Sequence, residues 1–117
     1  MPLYSYTPEL APLVKSGKKH QTIRTKRKIR PRVGQLAHNY AGGYSAKRQH
    51  LGSPVITEVC DIVINEESVV TIDGRRLSLA ASAKLAHEDG FSCLAAMGLW
   101  FAVNHRLPFE GDLIKWQ

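Results

Sequence analysis

The chain has 117 residues, 44% of them apolar, with 16 Lys and Arg against 10 Asp and Glu. A single domain over residues 1–117 is expected; that length buries a modest core without a metal or disulfide scaffold, and the apolar share argues against disorder. No apolar stretch approaches the roughly 20 residues that span a bilayer, and the opening MPLYSYTPEL lacks the charged-then-apolar order of an export signal, so a cytoplasmic protein without a membrane partner is expected.

The first predicted element is a short helix in TPELAPLVKSG. Thr7 accepts from the unpaired amides at its start, Pro8 takes the first helical position, and Gly17 ends it in a left-handed conformation. Pro12 counts against it, because a proline beyond the first turn removes a helix hydrogen bond. HQTIR reads as a strand on its β-branched Thr22 and Ile23. A basic linker runs to Pro31, and Val33-Gly34 turns into a second strand, QLAHNYA. Gly42 to Ser53 is rich in turn formers and reads as a loop. PVITEVCDIVIN is the strongest strand signal, largely buried, and its imperfect alternation points to a bulge. VVTIDGRRLSL predicts a hairpin turning at Asp73-Gly74. Two helices follow: AASAKLAHEDG, ending at Gly90, and SCLAAMGLWFAVNH, capped by Ser92, with Leu94, Met97, Trp100 and Phe101 facing the core. FEGDLIKW closes the chain as a strand. The order predicts an α+β domain around a small curved sheet or barrel. Cys60 and Cys93, far apart in apolar patterns, read as reduced core residues.

The charge is segregated along the chain. Between Leu10 and Thr57 lie eleven Lys and Arg and no acid: Lys15, Lys18, Lys19, Arg24, Lys26, Arg27, Lys28, Arg30, Arg32, Lys47 and Arg48. From Glu58 onward nine acids face five bases. A surface kept only for solubility intersperses the two signs, so this separation points to a polyanionic partner.

SGKKHQTIR, RPRVGQL, the long VITEVCDIVI strand, LAHEDGF and the closing FEGDLIKW, in that order, resemble the ASCH domain family of the PUA-like superfamily. The resemblance runs from Tyr6 to Trp116 and implies a PUA-like β-barrel of about five to six strands with flanking helices. It implies a partner that is RNA or a modified nucleoside. Some relatives are amidohydrolases acting on 4-acetylcytidine; others are described as ribonucleases or transcription coactivator modules, so the family does not settle an activity. The family usually has Gly-Asp after the basic linker. Here Gly34 is followed by Gln35, which removes a charge that would otherwise orient a pocket cation.

Carried over by position, the amidohydrolase set is Lys19, Thr22 and the acid of HEDGF, which by its spacing before Gly-Phe is Asp89, with Glu88 adjacent. The chemistry is coherent. A threonine hydroxyl attacks only once a base takes its proton, and a lysine is that base when burial and the neighbouring Lys18 and Arg24 keep it neutral. The carboxylate orients the lysine or returns a proton to the leaving amine. Lys19 and Thr22, three apart, point to opposite faces of a regular strand, so the set requires Lys19 to precede the strand. Equally, Thr22 can be an ordinary strand residue, Lys19 a solvated lysine and Asp89 a helix-end acid.

For binding, Lys18, Lys26, Arg27, Lys28, Arg30 and Arg32 are candidate phosphate contacts, and Arg24 a two-pronged contact to a phosphate or base edge. Tyr40 and Tyr44, beside Lys47 and Arg48, are candidates for stacking on an unpaired base or for ordinary packing. The histidines lack metal-like spacing and no phosphate loop or nucleophile elbow is present, so neither metal nor cofactor is expected. A protein-interaction module docking its basic face on an acidic partner remains the third alternative.

Overall fold

The computed structural model describes residues 2–43 and 47–117. Among them lie three helices and eight strands in two sheets. The larger sheet is built from the strongly patterned segments. Strand β8 (Phe109–Trp116) runs through its middle, antiparallel to β2 (Gln21–Thr25) on one side and to β5 (Ile56–Ile64) on the other. Strands β6 (Val70–Ile72) and β7 (Arg75–Arg76) extend it as a hairpin turning at Asp73-Gly74.

Both faces of this sheet are covered. On one face Ile23, Cys60, Ile62, Ile64, Phe109 and Leu113 pack under α2 (Leu79–Glu88) and α3 (Leu94–Asn104). On the other, Ile56, Ile114 and Trp116 meet α1 (Ala11–Ser16) and the smaller sheet. A bulge lets β5 serve both. Ile56 pairs with Trp116 but Glu58 with Lys115, so one extra residue reverses the alternation, and Ile56 and Cys60 enter opposite cores.

The smaller sheet has the order β1 (Leu3–Tyr6), β3 (His38–Ala41), β4 (Gln49–Gly52), with β1 parallel to β3 and β4 antiparallel to it. Two of its strands depart from the sequence expectations: β1 carries no strand signal, and β4 falls within the segment read as a loop. Helix α1 also begins later than its sequence suggests. The Thr7 carbonyl accepts from the Leu10 and Ala11 amides, no side chain caps the helix, and Pro12 sits in its first turn, where no hydrogen bond is lost. The cap of α3 is Cys93, whose Sγ accepts from the Ala96 amide, rather than Ser92. Cys93 is exposed, so only Cys60 is the expected core cysteine.

The barrel is the main correction. The α+β class holds, but the described strands form two open sheets and no closed barrel. Closure would need both pairs of sheet edges to join, one of them β1 with β2. Instead, arginines from β2 and the following linker bond the outer carbonyls of β1: Arg24 Nη2 donates to the Ser5 carbonyl at 2.8 Å and Arg27 Nη2 to the Leu3 carbonyl at 2.7 Å. Side chains thus satisfy acceptors that a strand ladder would otherwise use, and the seam stays open. No helix among the described residues is long and apolar enough to cross a membrane.

Candidate functional site

The open seam is the site. Helix α1 stops at Gly17, whose φ of 82° only glycine adopts freely. The Lys19 amide then donates to the Leu13 carbonyl at 2.9 Å, folding the chain back before β2 begins at Gln21. Lys19 therefore lies outside the strand's alternation, and Lys19 and Thr22 line one cleft. Lys19 is 2% exposed; its Nζ donates to the Asp89 carbonyl at 2.6 Å and lies 3.1 Å from Asp89 Oδ1.

Asp89 caps the C-terminus of α2, so the 70 residues separating it from Lys19 are bridged by helix–sheet packing. Gln21 Nε2 completes the arrangement, donating to Asp89 Oδ1 and to the Leu85 carbonyl at 3.3 Å each. Gly90 has a φ of 101°, which favours glycine, and a Cβ there would also crowd the Leu10 side-chain end at 2.7 Å.

Burial sets the electrostatics. It holds the Lys19 ammonium below the usual lysine range, against the opposing pull of Asp89. It also lifts the Asp89 carboxyl above the usual carboxylate range, despite Lys19 and Gln21. Burial thus drives each partner toward its neutral form.

Thr22 is 3% exposed, and its Oγ1 accepts from Arg24 Nε at 2.9 Å. Lys19 and Thr22 form no direct hydrogen bond; Asp89 holds the first and Arg24 the second, and all four line the cleft. The Arg24 guanidinium sits 5.2 Å from the Tyr4 ring and 5.0 Å from the Tyr6 ring, fixed by π faces as well as by Ser5. Tyr6, whose hydroxyl donates to Asn39 Oδ1 at 3.1 Å, is raised above the usual phenol range by burial.

The cleft encloses about 480 Å³, within the range of small-molecule sites. Lys19, Thr22, Arg24 and Asp89 form its polar side, and Phe91, Trp100, Phe101 and His105 its aromatic side. The sequence pattern assigns Trp100 to the core, but it is 43% exposed and faces this cavity. Ser5 and Tyr6 are missed because β1 has no strand signal. His105 is missed because it lies past the end of α3 and shares no spacing with another polar residue.

The basic linker does not form a continuous phosphate track. Lys26 bonds Asp61 and reaches Asp112 Oδ1 at 3.2 Å; Arg30 contacts Asp61 Oδ1 at 3.0 Å and Asp112 Oδ1 at 3.1 Å. Arg27 is spent on Leu3 and the Tyr4 ring, 4.6 Å away. Lys18, Lys28 and Arg32 are exposed and line no part of the cleft. Charges separated in sequence are therefore partly reunited in space. Lys47 is exposed; Arg48 stacks 4.4 Å over Tyr40, whose ring lies 5.1 Å from His50. Tyr44 lies outside the described residues. Gln35 Oε1 accepts from the Arg32 amide at 2.9 Å, closing a turn remote from the cleft, so it orients no pocket cation.

Among the described residues no three His, Cys, Asp or Glu side chains cluster to hold a metal ion. No family model, curated protein or solved structure matches the chain.

Proposed function

We propose that the cleft binds a modified nucleoside and hydrolyses an amide on it, in the manner of the ASCH amidohydrolases that the sequence resembles. The observation that carries this is the buried Lys19–Asp89 pair opening onto the same cavity as Thr22. A buried ion pair is a poor stabilising device, because desolvating both charges offsets their attraction. Perturbed titratable groups gathered in a cleft are characteristic of catalytic sites.

In the proposed reaction neutral Lys19, which does not bond Thr22 directly, takes the Thr22 hydroxyl proton through one intervening water as Oγ1 bonds to the amide carbon. Arg24 Nε, already donating to that oxygen, stabilises the charge that develops nearby. The C–N bond breaks and the proton on the Lys19–Asp89 pair goes to the leaving nitrogen. Water then adds to the threonine ester, releasing the carboxylic acid and restoring the hydroxyl. For 4-acetylcytidine the products are cytidine and acetate.

Incubation with 4-acetylcytidine is expected to release cytidine, with at least 100-fold loss of rate in Lys19→Ala and Thr22→Ala. Absence of product, or a rate indifferent to both substitutions, disproves hydrolysis. A second mode, single-stranded RNA held outside while one base enters the cleft, is supported by exposed Arg48, stacked on the half-buried Tyr40 ring, beside exposed Lys47. RNA affinity should then fall steeply with salt; a flat response removes that mode.

A further inference from the structure

Trp100 departs from the core placement expected of it and lies on the exposed side of α3. Met97 and Phe101, on the core face of α3, are 0% and 1% exposed, whereas Trp100 is 43% exposed. Leu99 and Val103 are exposed as well, at 66% and 72%, but neither lines the cleft. The indole packs edge-on against Phe101 with ring centres 4.9 Å apart, and lies 5.4 Å from His105 and 6.0 Å from Phe91. A large aromatic side chain braced on three rings yet left half open forgoes much of its burial energy. What remains open is a pre-ordered π surface with little side-chain entropy left to lose on binding. It faces the cavity whose polar side carries Lys19, Thr22 and Arg24.

We propose that Trp100, flanked by His105, is the platform on which the ligand's planar base stacks. The cleft thereby selects amides borne on a heteroaromatic ring over aliphatic amides of the same acid. This rests on the nucleoside-binding interpretation of the cleft but not on its hydrolytic step. The other tryptophan, Trp116, is 4% exposed and belongs to the opposite core, so intrinsic fluorescence that responds to a cleft ligand reports Trp100.

The test is a titration with cytidine, which carries no scissile amide, followed by tryptophan fluorescence and by calorimetry. The wild-type protein is expected to bind saturably, with quenching. Trp100→Phe should keep binding within about threefold, whereas Trp100→Leu should bind about tenfold more weakly or worse, the size of a lost stacking contact. Equal calorimetric affinity for wild type and a folded Trp100→Leu overturns the platform, as does saturable binding by the wild type with no change in fluorescence. No binding of cytidine by the wild type also overturns it. Quenching that depends on Trp100, with no turnover of 4-acetylcytidine, sinks hydrolysis and leaves the platform standing.

Discussion

Two lysine–aspartate contacts in this molecule use the same chemistry to opposite ends. Lys19 and Asp89 meet in the cleft with side chains 2% and 9% exposed; Lys26 and Asp61 meet on the linker with side chains 49% and 52% exposed. In the cleft, burial dominates: the lysine is pushed down and the acid up, each toward neutrality. On the linker, direct hydrogen bonding dominates: the lysine is pushed up and the acid down, each toward its charged form. Solvent access, not residue type, decides which pair is driven toward neutrality and which is held charged, fastening the linker to the sheet.

The largest test of this contrast is Lys19→Met. Removing one member of a buried pair leaves the other without its counter-charge, and denaturant unfolding should record a loss of about 3–5 kcal/mol. The double substitution Lys19→Met with Asp89→Leu should regain most of that stability while remaining inactive. If the double variant is no more stable than the single, the pair is not the buried, mutually dependent unit described above.

A medium effect separates the pairs by pH. Asp89 has its folded value above the ordinary 3.8, so the folded state binds more protons and stability is lost as pH rises from 3.8 through that value. Asp61 has its folded value below 3.8, so its contribution is present above 3.8 and lost as pH falls through the lower value. Melting temperature followed against pH should show Asp89→Asn flattening the first dependence and Asp61→Asn the second. Identical profiles for the two variants would erase the distinction.

The smallest effect is expected from Lys26→Ala. Its contact with Asp61 is exposed and screened, and the buried Asp112 that it also reaches keeps Arg30 at 3.1 Å, so the drop in melting temperature should be slight in dilute buffer and smaller still at molar salt. The cost of Lys19→Met should persist in that salt. A Lys26→Ala penalty that salt leaves undiminished would mean the linker network is drier than its exposure implies.

How far the sequence reveals this molecule depends on the range of the interactions involved. Strands β2, β5 and β8 and helices α2 and α3 are legible because each carries its own periodicity, and the β5 bulge is visible as a break in alternation. Strands β1 and β4 are not, being four residues each and stabilised by partners distant in the chain. The barrel expectation fails because the strands divide into two sheets, and at the β1–β2 edge two arginines take carbonyls that pairing would use. At the site, Lys19, Thr22 and Asp89 were picked out by family resemblance, with no local signal pairing the first with the last. The engagement of Lys26 and Arg30 is invisible in the linker itself, because Asp61 and Asp112 lie 31 to 86 residues away. Trp100 is misassigned because helical spacing places it beside Phe101 without revealing that the helix borders a cavity.

The gap spanned by Arg24 has a consequence for how such a fold diversifies. A ladder between two strands comes in one width and one repeat, and altering it means sliding an entire strand. Here the separation is set by the reach of individual guanidinium groups. Exchanging one arginine for a shorter or neutral residue can widen, narrow or repolarise the opening while every neighbouring strand keeps its alignment.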